Sequence, residues 1–401
     1  MITYTSTPES TVAPLYNEYI EDATEVYLNA EPTDLSPLNR KAWREEHPKV
    51  SIGSLTHEEF LEAVLSSPRQ SMNPVSLTRD ALGYSEDATE EEISTGLRLA
   101  YGNLIELYMD NGLDPSPLSM AWEMISLTEA YIAGYSRDIG GVALRLQRHD
   151  KGLNALERWN SQLWVPDEDM HDRTLSFAMT SAGIVNQEEY FRKHIRHMKI
   201  GTHVDLSNVI TVNGYVTLQE DATVISYQNL AIIFGEVFGR IFSAIAENEA
   251  QHKRAYRSIL LTLSNAFPDD SVISLLHNCE SFEMPGIEGI EGYEQLAKAL
   301  GYLGMLDPQA VIDSQSKIFE SMDLAQMRLQ SDEAKIARDT LLDNSSMPLQ
   351  KRKRLARLVQ ISRLRDVERA AVKNDVLPIV IGTTVFRESR NGPLLFPFSF
   401  N

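Results

Sequence analysis

Two short stretches of this chain each place a carboxylate three residues before an imidazole. They are Glu168-Asp169-Met170-His171 and Glu249-Ala250-Gln251-His252. Each lies in a run with helical patterning, and on a helix positions three apart share a face. Either pair can therefore offer an oxygen and a nitrogen donor to one cation. Of the nine histidines in the chain, only these two follow a Glu at that spacing. His47 and His57, in the N-terminal region, do not.

Two Glu-x-x-His pairs on facing helices, joined by one Glu from each of two further helices, make the ligand set of carboxylate-bridged di-iron bundles. Composition leaves room for such a centre and little room for others. The single cysteine, Cys279, excludes a disulfide framework and any cysteine-based zinc or iron–sulfur site. Carboxylate and imidazole donors leave iron and manganese prominent. A formal net charge of −20 argues against nucleic acid and anionic membranes as partners. No apolar run is long enough to span a bilayer. The N-terminus lacks the features of a signal or transit peptide, so a cytoplasmic location is expected.

The chain is 401 residues long, with 43% hydrophobic and 23% charged residues, ordinary for a globular protein. The expected fold is all-α, with an N-terminal extension over 1–90, one helical domain over 91–373 and a tail over 374–401. Thr89-Glu90-Glu91-Glu92 reads as a capping box opening a helix that Gly112 ends. Further helices are expected from Pro115 to Gly140-Gly141, Leu153 to Met179, Gln187 to Lys199, Val204 to Phe234 and Glu236 to Phe267. The last has a clear apolar stripe through Phe238, Ile241, Ile245, Tyr256 and Ile259. Beyond it, helices are expected over Ser271–Glu283, Glu291–Leu303, Pro308–Met322 and Ser331–Asn344, with a basic amphipathic stretch from Pro348 to Lys373. A hairpin turning at Asn391-Gly392 is expected to close the chain. Pro166 falls inside the first Glu-x-x-His stretch, so the helix is either bent there or starts anew at Val165.

Four segments resemble the soluble acyl-carrier-protein desaturases, a family of di-iron enzymes. Trp164-Val-Pro-Asp-Glu168-Asp-Met-His171 is similar to the family's W-T-A-E-E-N-R-H. Asn248-Glu249-Ala-Gln-His252-Lys-Arg-Ala-Tyr256 is similar to D-E-K-R-H-E-T-A-Y. Leu127-Thr128-Glu129 with Tyr135 resembles a segment with Glu after Thr and Tyr six residues on. Leu218-Gln219-Glu220-Asp221-Ala222-Thr223-Val224-Ile225-Ser226 resembles F-Q-E-R-A-T-F-I-S. The Met284-Pro285 turn and Ser331 to Asp339 extend the likeness, which covers roughly residues 118 to 356.

The resemblance implies a ferritin-like helical bundle holding two iron ions. Glu168 and Glu249 would bridge the irons, His171 and His252 would each bind one, and Glu129 and Glu220 would be terminal ligands. Thr223 would stand beside the oxygen-binding site, as a catalytic hydroxyl. Trp164 matches an aromatic of the motif, with plain core packing as the alternative. The implied activity is oxygen-dependent insertion of a double bond into a fatty acyl chain. Acyl carrier protein would deliver the chain, a ferredoxin would supply electrons, and the enzyme would be a homodimer. The acidic carrier would need a basic patch: Arg192, Lys193, Arg196 and Lys199, or Lys351, Arg352, Lys353, Arg354 and Arg357.

The sequence departs from the family at telling points. Asn248 replaces an Asp thought to orient a histidine and to help carry electrons inward. Ile132-Ala133-Gly134 and Arg137-Asp138 alter the segment near the acyl channel. Two other readings follow: hydroxylation of a carrier-bound intermediate, or a non-catalytic ferritin-like homologue.

Overall fold

The computed structural model describes residues 73–110, 113–131, 159–198, 209–282, scattered positions between 284 and 305, residues 308–343, and the backbone of 378–381 and 384–387. Among the described residues the fold is all-α apart from one small hairpin. The helices are α1 (Pro74–Leu82), α2 (Glu90–Asp110), α3 (Ser116–Ala130), α4 (Val165–Ser181), α5 (Gln187–Met198), α6 (Val209–Ile233), α7 (Gly235–Ala266), α8 (Pro268–Ser281), α9 (Pro308–Ser321) and α10 (Asp332–Asp343). No helix is long and apolar enough to cross a membrane among the described residues.

Local chemistry sets several of these boundaries. The side chain of Asn73 accepts from the Ser76 amide at 2.9 Å to open α1, and Pro74 takes the first helical position. The expected capping box opens α2: the Thr89 amide donates to Glu92 at 2.8 Å, and the Glu92 amide donates to the Thr89 hydroxyl at 3.2 Å. Gly112 lies outside the described residues. α3 ends at Ala130, ten residues short of the expected Gly140-Gly141, and residues 132–158 lie outside the description.

The stretch around Pro166 takes the second of the two forms expected for it. Asn160–Trp164 is a π-helical turn, and the Val165 amide reaches back five residues to the Asn160 carbonyl. α4 then starts at Val165 with Pro166 in its first turn. Proline lacks an N–H and its ring crowds the carbonyl four residues back, so a regular helix through this point would lose a bond and clash. The wider turn takes up the misfit.

α6 and α7 form a tight antiparallel hairpin. Gly235 has φ +74°, a left-handed conformation open to glycine, and reverses the chain between them. Four residues on, a Cβ at Gly239 would lie 2.4 Å from the Ala231 carbonyl oxygen. Only glycine lets the two backbones come that close. Every residue from Val209 to Val224 is buried, so α6 runs through the interior with no solvent face over that length.

Apolar side chains gather in two clusters. One contains Trp122 of α3 with Phe234, Phe238 and Phe242, their ring centroids 4.8–5.1 Å from the indole, together with Leu175, Tyr227, Ile245 and Ala246. The other contains Trp164, Leu218, Ala222, Ala255, Tyr256 and Ile259, with residues of α8, α9 and α10. Glu168 and His171 lie between Trp164 of the second cluster and Leu175 of the first, and Glu249 and His252 lie between Ala246 of the first and Ala255 of the second; on α6 the switch falls between Ala222 and Tyr227, just after Glu220. A polar layer is therefore sandwiched between two apolar ones. α3 packs on α4, α4 meets α7, and α7 packs on α6.

One small hairpin is described in the C-terminal tail. β1 (Pro378–Ile381) pairs antiparallel with β2 (Thr384–Arg387), with Ile381 opposite Thr384. The connection is two residues, the first of them Gly382, a pattern suited to tight hairpins. Asn391-Gly392 and the apolar run after it lie outside the described residues, as do the helix expected over 348–373 and residues 1–72. Cys279 is buried in α8, and burial pushes its thiol up to about 12, which makes it unreactive.

Candidate metal centre

Glu129 on α3, Glu168 and His171 on α4, Glu220 on α6, and Glu249 and His252 on α7 meet in the polar layer. All six are at most 4% exposed. Their donor atoms form two groups: Glu129, Glu168, His171 and Glu249, and Glu168, Glu220, Glu249 and His252. Within each group, one donor atom per residue lies within 4.8 Å of every other. Glu168 and Glu249 belong to both groups. His171 Nδ1 is 3.2 Å from Glu249, 3.4 Å from Glu168 and 3.9 Å from Glu129. His252 Nδ1 is 2.9 Å from Glu168, 3.4 Å from Glu249 and 3.5 Å from Glu220. The two imidazole centroids are 5.7 Å apart.

The chemistry of the atoms fits a metal. Glu168 Oε1, His171 Nδ1, Glu220 Oε2, both Glu249 oxygens and His252 Nδ1 are buried without a hydrogen-bond partner. Buried polar atoms are normally satisfied, and a buried charge left alone is very costly. Six such atoms converge from α4, α6 and α7, with the Glu129 carboxylate of α3 beside them, and such a set of hard oxygens and imidazole nitrogens could bind metal ions.

Electrostatics point the same way. Burial pushes the Glu129 and Glu220 carboxyls well above the usual range, and the shared carboxylates Glu168 and Glu249 add to the effect. Burial also works to raise Glu168 and Glu249, but His171 and His252 outweigh it and hold both below the usual range. The two imidazoles move oppositely to ordinary buried histidines. Burial favours their neutral form, yet the surrounding carboxylates raise both well above the usual value.

The outer nitrogens of the two imidazoles are held by the opposite helix. His171 Nε2 is 2.7 Å from Asn248 Oδ1, and His252 Nε2 is 3.5 Å from Asp167 Oδ2. Each of these partners directly precedes the Glu of its own Glu-x-x-His. The arrangement is crossed: α7 holds the histidine of α4, and α4 holds that of α7. Such contacts fix tautomer and ring direction.

The end carboxylates are held by aromatic donors. Tyr227 donates its hydroxyl to Glu129 Oε1 at 2.5 Å, and Trp164 donates Nε1–H to Glu220 Oε1 at 2.9 Å. Trp164 is thus more than packing. Trp159 stands edge-on to His252 at 6.2 Å, and Tyr256 to Trp164 at 5.6 Å. Thr223 is buried one turn after Glu220, and its hydroxyl donates to the Gln219 carbonyl at 2.8 Å. Sequence reasoning missed Tyr227 and Asp167. The signals were available: Tyr227 follows Glu220 by two helical turns, and Asp167 occupies the place in its motif that Asn248 occupies in the other.

Arg192 and Arg196 of the first basic cluster are exposed, and the cluster carries surface ion pairs. Arg192 pairs with Glu188, Lys193 with Glu123 and Glu189, and Arg196 with Glu291. Lys199 lies outside the described side chains, as does the second cluster, and so do Tyr135 and the altered channel segment.

No curated protein matched the chain in a search of such sequences. A family model described as fatty acid desaturase matches residues 118–375, well over half of the chain and the whole of the polar layer. This chain belongs to the fatty acid desaturase family.

Proposed function

We propose that the protein is a di-iron, oxygen-dependent desaturase that introduces a double bond into a fatty acyl chain carried on acyl carrier protein. One observation carries the reading: six buried carboxylate and imidazole residues fall into two groups that share Glu168 and Glu249. Glu168 and Glu249 would be shared between two ions, Glu129 and His171 would complete one set of donors, and Glu220 and His252 would complete the other. Two ferrous ions bound there would supply the activation of dioxygen needed to remove a hydrogen from each of two adjacent carbons.

The remaining work falls to the chain. Tyr227 and Trp164 fix the end carboxylates, while Asn248 and Asp167 fix the imidazoles. The two apolar layers exclude water from the reacting groups. Thr223 is the hydroxyl placed to pass a proton. Its own hydrogen is engaged with Gln219, so that role requires the hydroxyl to rotate. A ferredoxin-type protein supplies electrons one at a time. The enzyme acts in the cytoplasm as a homodimer.

The test is to incubate the ferrous protein with reduced ferredoxin, dioxygen and a panel of acyl carrier proteins, followed by mass spectrometry of the acyl chains. Loss of two hydrogens, abolished in Glu168→Ala, is the expected result. Gain of an oxygen atom would make the protein a hydroxylase. Absence of iron uptake would remove the catalytic reading altogether.

A further inference from the structure

We infer that Asp221 and Lys253 are a positioning pair that sets the spacing of Glu220 and His252, the site residues beside them in the chain. The inference rests on the reading that those residues hold metal. Asp221 is fully buried on α6, and Lys253 of α7 forms an ion pair with its Oδ1. Ser314 of α9 donates to the same oxygen at 2.7 Å, and Lys253 Nζ lies 3.2 Å from the Ser314 hydroxyl. The lysine side chain is 24% exposed, so its stem lies along the protein while its head turns inward to the aspartate.

Placement gives this pair its consequence. The α6–α7 hairpin is clamped at its turn by Gly235 and Gly239. At 1.5 Å per residue, the polar layer lies roughly 20–25 Å from that turn. Over such a length two helices can slide or splay enough to spoil a coordination sphere, and misplacement by about 1 Å matters at a reactive centre. Asp221 and Lys253 tie the helices at the level of the layer, one residue after Glu220 and one after His252. No comparable ion pair links α3 to α4 beside Glu129 and His171 among the described residues.

Cobalt(II) titration of the metal-free protein, followed by visible absorption, tests the role without turnover. The wild type is expected to bind two ions. Asp221→Asn and Lys253→Met are expected to keep one at unchanged affinity and to bind the second on the order of tenfold more weakly. Anomalous scattering at the cobalt edge should then place the retained ion with Glu129 and His171. Lys253→Arg, and the exchanged double variant Asp221→Arg with Lys253→Glu, should regain the second site.

Unchanged affinities in both single variants would overturn the inference. So would equal weakening of both sites in step with a fall in Tm, or failure of both variants to fold, since each marks a purely structural pair. Lys253→Met leaves a bare buried carboxylate and is the variant more prone to unfold. Asp221→Asn leaves none and still accepts from Ser314. A wild type that takes up no cobalt would sink the metal reading itself, and this inference with it.

Discussion

The two halves of the polar layer are built to one plan and finished differently. In one, Glu129 is held by a tyrosine hydroxyl and His171 is held by the neutral amide of Asn248. In the other, Glu220 is held by an indole N–H and His252 faces the carboxylate of Asp167. A carboxylate behind an imidazole makes the ring a stronger donor, whereas an amide only orients it. Two ions bound as proposed would therefore differ in affinity and in ease of reduction, although their inner ligands are alike. The difference lies in residues that touch no metal.

The largest effect should come from removing what the halves share. Glu168→Ala or Glu249→Ala takes a donor from both groups at once, and metal content should fall from two ions per chain towards none. Loss of one ion alone, measured by elemental analysis, would show that the halves are independent and that the shared carboxylates do not bridge.

Exchanging the outer partners should come next. Asp167→Asn should weaken binding on the His252 side by roughly 10–100-fold, the usual range for lost carboxylate support. Asn248→Asp should strengthen the His171 side and make the halves alike. Cobalt titration reads both. Equal isotherms in the wild type would refute the asymmetry.

Effects of similar size, each confined to one half, should follow loss of the aromatic donors. A hydrogen bond to a charged group is worth about 1.5–3 kcal/mol. Tyr227→Phe should weaken the Glu129 half by roughly that amount, and Trp164→Phe the Glu220 half. A response of the wrong half would break the assignment of donors to ions.

The smallest effect on metal is expected from His197, a buried histidine of α5 outside both halves. Burial, aided by His194, lowers its pKa to about 4. Above pH 6.5 the ring is neutral whether the chain is folded or not, so it does not influence stability. As pH falls towards 4, the unfolded chain takes up a proton that the folded chain refuses, and stability is lost. Between pH 7 and pH 4.5 that loss is about 2 kcal/mol. Denaturant midpoints of His197→Phe should fall less over this range than those of the wild type, with metal content unchanged. Parallel curves would contradict the assignment.

Some of this was readable from the residues and some was not. The Thr89 capping box and the apolar stripe of α7 are local patterns, and the helices they announce start and run as expected. α6 is another matter. With every residue from Val209 to Val224 buried, it has no stripe to read, and its role was visible through the segment around Glu220. Pro166 signalled an irregularity without saying which, because a proline's misfit is met equally by a bend or by a wider turn. The crossed contacts from Asn248 to His171 and from Asp167 to His252 arise when α4 docks on α7. No spacing along one helix contains them. The ion pairs of Lys193 with Glu123 and of Arg196 with Glu291 likewise depend on distant segments.

The α6–α7 hairpin has a bearing on the order in which the protein assembles. Contacts between chain neighbours form fast, because little loop entropy is lost in closing them. The hairpin reverses at a single glycine and carries Glu220, Glu249 and His252, half of the six donors. α3 and α4 leave the ribosome earlier, but on their own they hold only Glu129, Glu168 and His171. They must wait for the hairpin before either group of donors is complete. Nascent chains stalled before Gly235 should therefore capture no pair of ions, and metal loading becomes an event of late synthesis that coincides with closure of α7 onto α4.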